Sequence, residues 1–369
     1  MLATVKRLLD TDVGSFLSGP KQLLGLDIGS SCIKVVQLRE HKGRYVVQKF
    51  GMKSLEPGTI VDGTVMNPDK VVAAIRQLLK EQRIKEKRVA TSISGHSVIV
   101  KKITLPACEE EELDTQVKLA AEQYIPFDIN EVNLDFHVVN ASERAEEGDQ
   151  QMSLLLVAAK KDKVSELADL VRRAGLTPAV VDVDAFAIEN MYDVNYSVST
   201  DEVIALVNIG ASVMNVNIVK GGMCVFTRDI SIGGNRYTEA IQREFGVSFE
   251  EAESAKRGDS RAKLDRDAVT STLNQISAEV ISEVANSIDY FRTTNVDGEV
   301  SKVLLCGGCA HVKELREQLS QRLNVEVEVV NPFGGIDISP LKIDPAEMDV
   351  VAPQAAVAVG LALRRSGDR

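Results

Sequence analysis

The chain lacks any run of about 18 apolar residues, and its first residues lack the long apolar block of a secretory leader. Neither a membrane-spanning helix nor a secreted product is expected. Cysteine is scarce: Cys32, Cys108, Cys224, Cys306 and Cys309 are an odd number scattered over 369 residues. That excludes a disulfide framework and predicts buried thiols in a cytoplasmic protein. An excess of positive charge is missing too. Lys and Arg total 43 against 54 Asp and Glu, a net charge of −11, which disfavours attraction to nucleic acid. The histidines, His41, His96, His137 and His311, show no ligand spacing, so no metal role is expected for them. What the chain does have is core material: 44% of it is hydrophobic, at a length that fits two lobes.

Residues 1–22 place Leu2, Val5, Leu8 and Leu9 at helical spacing ahead of Gly19-Pro20, and are expected to form a flexible arm. From Leu23 the pattern reads as a three-strand meander: LLGLDIGSS, CIKVVQLRE, a Gly43 turn and RYVVQKFGM. Asn67-Pro68 supplies a cap and a first helical position, with Val71, Ile75, Leu78 and Leu79 on one face. Strands are expected at RVATSISG, around 98–104 and around 133–139, with a helix over 109–123 opened by four glutamates. The polar stretch 141–151 reads as a loop, and a strand–helix–strand unit follows, with its helix over 163–173. A second meander begins at Val203, a largely helical stretch covers 237–292, and SKVLLCGGC opens a last unit with a helix over 312–323.

The second meander repeats the first. Asp27 aligned on Asn208 brings Ile28 onto Ile209, Gly29 onto Gly210 and Ser31 onto Ser212, at an offset of roughly 180 residues. In the first copy Asp27 ends a strand and Gly29, Ser30 and Ser31 form the turn. Glycine lets backbone N–H groups approach phosphate oxygens, the hydroxyls add donors, and the carboxylate can hold a metal through water. Lys34 on the returning strand could reach the same phosphates. In the second copy Asn208, Gly210, Ala211 and Ser212 repeat the turn, so two hairpins could hold one polyphosphate from both sides. Gly307-Gly308 ends a later strand, where a flat ring can approach the backbone unobstructed.

These three elements, in this order, resemble the actin, sugar kinase and Hsp70 superfamily. The resemblance implies an α/β, actin-like (ribonuclease H-like) fold of two lobes that binds ATP with Mg²⁺. FEEAESAK resembles the FtsA-branch segment near ribose and adenine, implying adenosine roles for Glu253 and Lys256 beside Gly307 and Gly308. ISIGGNRYTEAI resembles the turn after the second phosphate loop and implicates Gly233 and Gly234. Asp184 stands roughly where relatives orient the attacking water; its other reading is a polar residue at a strand end. Neutral Asn208 replaces the usual acidic residue and cannot act as a base, so weak or absent hydrolysis is expected.

KLAAEQYIPFDINEVNLDFHVV, VDVDAFAIENMY and LLGLDIGSSCIKVVQL closely resemble the PilM family of type IV pilus assembly proteins, from about Leu23 nearly to the C-terminus. That implies a cytoplasmic adaptor, peripheral to the inner membrane through its partners. It would capture the N-terminal cytoplasmic peptide of PilN, link the pilus motor to the alignment complex in twitching motility, and possess a capacity to form rings or other homo-oligomers. The implied organisation is a first lobe over 23–99 and 179–199 with an FtsA-type insertion over 100–178. The second lobe covers 200–245 and 299–350, its helical upper subdomain 246–298, and a C-terminal helix over 351–369 returns to the first lobe. Two rivals are weighed against it. Cys306 and Cys309 frame a C-x-x-C ahead of a helix, as in redox sites, but without a compact redox domain around them. A metabolite kinase on the same fold would need a carboxylate base where Asn208 stands.

Overall fold

Two antiparallel meanders, each the seed of its own sheet, organise the computed structural model, which describes residues 22–108, 110–144, 150–259, 263–295 and 298–368. The expected arm lies outside the described residues except for Gln22, which bridges Arg365. β1 (Leu24–Ile28), β2 (Cys32–His41) and β3 (Arg44–Ser54) form the first meander, and β4 (Ile60–Val61) pairs with β5 (Thr64–Val65) beyond it. α1 (Pro68–Glu81) begins where the Asn67 side chain accepts the Lys70 N–H, and it buries the predicted face of Val71, Ile75, Leu78 and Leu79. β6 (Arg88–Ile93) then joins β1 in parallel.

An excursion follows. β7 (Val98–Pro106), α2 (Glu110–Tyr124), β8 (Val132–Arg144) and β9 (Gln150–Lys160) enclose a separate core around Ile103, Val117, Leu154 and Leu156, on a sheet ordered β7-β9-β8. The loop expected over 141–151 is shorter than its composition suggests. Both flanking strands run into it, because antiparallel pairing satisfies backbone groups whether or not the side chains are buried. α3 (Lys161–Arg173), assigned to the insertion on sequence, packs Leu170 and Val171 into the first sheet's core beside α1.

β10 (Thr177–Val183) leads into α4 (Asp184–Asn195), which carries little amphipathic period because Ala185, Ala187, Ile188, Met191 and Tyr192 are buried around it. β11 (Val203–Ile209), β12 (Met214–Lys220) and β13 (Met223–Ile230) form the second meander. Every residue of β11 is buried because its two faces serve different cores. Val203, Ala205, Val207 and Ile209 face α5 (Gly234–Phe245), α6 (Phe249–Lys256) and the long α7 (Arg266–Thr294). Ile204 and Leu206 face an inner core shared with α4.

β14 (Lys302–Cys306) pairs with β11, and α8 (Leu315–Leu323) begins three residues later than predicted because the Gly-Gly turn runs on before the chain coils. β15 (Glu326–Val329), β16 (Ile336–Asp337), α9 (Pro345–Val351) and α10 (Ala356–Leu363) complete the chain. The sheets are ordered β10-β6-β1-β2-β3-β16 and β13-β12-β11-β14-β15. By length and composition the helical stretch Pro345–Leu363, with mean hydropathy 1.4, could cross a membrane, yet 61% of it is buried inside the protein. Glu347 and Asp349 interrupt the apolar run in the sequence. α10 packs so closely on both neighbours that a Cβ on Gly25 of β1 would lie 2.2 Å from the Ala358 carbonyl oxygen. One on Gly360 would lie 1.6 Å from that of Ala187 in α4.

Candidate functional site

The two meanders repeat in register as well as in sequence. Asp27 stands opposite Lys34 across β1 and β2, and Asn208 opposite Asn215 across β11 and β12. The Gly29 N–H closes the first turn on the Cys32 carbonyl at 3.2 Å, and the Gly210 N–H closes the second on Val213 at 3.0 Å. Both turns open into one cavity of about 780 Å³, lined by Asp27, Gly29, Ser30, Ser31 and Lys34 from one side. Asn208, Gly210, Ala211 and Ser212 line the other side, with Asp184, Gly307 and Gly308 also on the wall.

Charge on the first hairpin is paired. Lys34 Nζ lies 2.8 Å from Asp27 Oδ2, with side chains 14% and 12% exposed. Burial, the largest single influence, works against the Lys34 charge, but Asp27, Cys32 and Asp184 together outweigh it and the ammonium holds its proton above the usual range. Asp184, the first residue of α4, accepts a 2.5 Å hydrogen bond from Ser92 Oγ. Burial, helped by the charges of Asp27 and Asp229 and opposed by hydrogen bonds from Ser92 and Ser94, pushes its carboxyl up to about 6. Among the described residues no group of three or more His, Cys, Asp and Glu could hold a metal ion. A metal here would rest on water and phosphate oxygens beside Asp27 and Asp184.

Gly307 has a φ of +90°, and a Cβ there would lie 2.4 Å from the Ile209 carbonyl oxygen and 2.6 Å from Asn208 Oδ1. That position requires glycine. A Cβ on Gly308 would meet nothing within 4 Å, so its backbone stands bare toward the cavity, as a flat or polyanionic ligand requires. The remaining predicted residues stand behind this wall. The Gly234 N–H donates to the Gly210 carbonyl at 2.9 Å and the Asn235 N–H to that of Ala211 at 2.8 Å, with Gly233 pressed on Ala211, so this turn braces the second hairpin. Lys256 donates to the Gly234 carbonyl at 3.1 Å and to Thr238 Oγ1 at 2.9 Å, and pairs with Glu253. Burial, the largest single influence, opposes the Glu253 charge, but Lys256, Thr238 and Arg257 together overcome it and the carboxyl sits below its usual range.

Cys306 and Cys309 are 0% and 2% exposed, and burial pushes their thiols up to about 12 and about 11. With α8 starting only at Leu315, no helix N-terminus activates them, and the redox reading falls. Sequence reasoning missed Ser92, Asn215 and Asp229. Asn215 was within reach, as the counterpart of Lys34 under the same offset. Asp229 carries no signal, since only the β12–β13 register sets it opposite Asn215.

The family model for type IV pilus assembly protein PilM matches residues 25–366. The chain belongs to the PilM family. Among solved structures, a PilM-PilN type IV pilus biogenesis complex superposes with a TM-score of 0.81 at 28% identity, covering 94% of this chain and 99% of the other. Ethanolamine utilization protein EutJ from Carboxydothermus hydrogenoformans matches with a TM-score of 0.55 at 17% identity, over 94% of this chain and 90% of that one. MreB 5 of Spiroplasma citri bound to AMPPNP matches with 0.52 at 9%, over 92% and 94%. The last two share the fold alone, and it is actin-like. As a PilM-family member the chain is a type IV pilus assembly component, and the metabolite-kinase reading is not favoured.

Proposed function

We propose that this chain is a nucleotide-gated adaptor of the pilus machine: it holds Mg²⁺-ATP between its two hairpins and captures the N-terminal cytoplasmic peptide of PilN. The observation that carries the first half is the convergence of two register-matched glycine hairpins on one cavity. Backbone N–H groups and the hydroxyls of Ser30, Ser31 and Ser212 supply donors for phosphate, and Lys34 supplies charge. Bound magnesium would neutralise phosphate charge, with Asp27 and Asp184 the carboxylates beside it. Glu253 and Lys256 would approach the adenosine end from behind Gly307-Gly308. Asn208 offers no carboxylate base in the second hairpin, so in this reading hydrolysis is weak or absent.

The second half rests on family membership and on the likeness to a PilM-PilN complex. In this reading the protein works in the cytoplasm and reaches the inner membrane, the motor and further copies of itself through partners. Calorimetry tests both halves. ATP with magnesium should bind, Asp27→Ala should abolish that binding, and a synthetic PilN tail should bind more tightly to the loaded protein. A folded protein that gives no heat with magnesium and any adenine nucleotide ends the proposal, as does ATP consumption, read as ADP formed, that small sugars or acids strongly accelerate.

A further inference from the structure

The duplicated hairpins differ at their matched pair, and the difference leads to a residue outside both. In the first lobe the pair is ionic, Asp27 with Lys34. In the second it is a pair of carboxamides: Asn208 Nδ2 donates to Asn215 Oδ1 at 2.9 Å. Asn215 Nδ2 in turn donates to Asp229 Oδ1 at 2.7 Å, and Asp229 Oδ2 accepts the backbone N–H of Gly95, which belongs to the first lobe. Asn208 and Asn215 are 9% and 2% exposed, so water does not compete freely for these groups.

A carboxamide can turn either its oxygen or its NH₂ toward a neighbour, whereas a carboxylate only accepts. Asp229 therefore sets the order of the chain. It takes the Asn215 NH₂, which turns the Asn215 oxygen to Asn208, which takes up the Asn208 NH₂. With its NH₂ turned toward Asn215, Asn208 sets its oxygen beside Gly307 at the cavity wall. We propose that Asp229 is a positioning residue that, through Asn215, makes the second hairpin present an acceptor, matched to the water shell of a divalent cation on the nucleotide and not to phosphate oxygens. The Gly95 N–H adds a second donor to the same carboxylate from the opposite lobe. This inference rests on the nucleotide reading above.

The test is calorimetry of ATP on the full chain, with magnesium and in EDTA, for the wild type, Asp229→Asn and Asn215→Leu. The carboxamide that the first variant introduces can donate as well as accept and no longer fixes the order; the second breaks the relay while leaving the Asp229–Gly95 contact. Both should weaken magnesium-ATP binding by about tenfold and metal-free ATP binding by less than about twofold. Should Asp229→Asn fail to fold, Asn215→Leu carries the test. Wild-type affinity in the folded variants, or equal losses with and without magnesium, overturns the positioning role while the nucleotide reading stands. A wild type that binds ATP under neither condition brings down both.

Discussion

Lys34 matters as much for what it keeps company with as for what it could bind. Removing it strands a nearly buried Asp27 carboxylate, so Lys34→Ala should cost about 3 kcal/mol in urea unfolding. The double variant Asp27→Asn with Lys34→Met should recover most of that loss, and a cycle showing no recovery would contradict the pairing. Glu189 on α4 offers a second case. Burial, with the Asp193 charge added and hydrogen bonds from the Cys224 backbone and Asn217 opposing, pushes its carboxyl from 4.5 up to about 8. The folded protein thus binds more protons than the unfolded chain between those values. Stability held at low pH is lost as pH rises through about 8, with a slope of at most about 1.4 kcal/mol per pH unit. Asp184 acts in the same direction up to about pH 6. Glu189→Gln should flatten the fall above pH 6 in unfolding titrations from about pH 5 to 9, and an unchanged profile would show the carboxyl to be ordinary.

At the level of elements, one close contact holds the C-terminal helix onto the first lobe. α10 crosses α4 with Gly360 against the Ala187 carbonyl, so closely that no side chain fits. Gly360→Ala should destabilise by about 3 kcal/mol, because one helix must move off the other and disturb the core around Ile188, Met191 and Leu361. The start of α1 is a milder case. Asn67→Ala removes the acceptor for the Lys70 N–H and should cost about 1 kcal/mol, with the nucleotide affinity unchanged because the cap lies outside the cavity lining. Together the two variants separate damage to the α10–α4 packing from damage to the start of α1. The first should also disturb nucleotide binding.

For the molecule as a whole, the cavity lies between lobes that share the inner core, so a ligand gripping both hairpins should stabilise everything at once. Magnesium-ATP at about one hundred times its dissociation constant should add about 2.7 kcal/mol to unfolding, and Asp27→Ala should lose that gain. A melting temperature indifferent to nucleotide in the wild type would contradict the clamp. The insertion carrying β7, β8 and β9 keeps a core of its own and should respond less, which amide exchange on Leu154 and Leu156 would report.

Much of this arrangement was readable in the chain of letters. The offset between Asp27 and Asn208 exposed the duplication, because a strand–Gly turn–strand unit constrains residue type at every second position and at the turn itself. The same local rules located α1 from its cap and the inner strands from their apolar runs. Residues 141–144 misled, since polar composition does not prevent backbone pairing at the end of an edge strand. α4 escaped because burial around most of its surface erases helical periodicity. Contacts between distant segments could not be read at all: Gly95 meets Asp229 across the lobes, and Gly360 meets Ala187 within the first, through the path of the backbone in space. Local sequence determines which groups a segment offers; only the packing of distant segments decides which of them meet, and therefore what the shared cavity can hold.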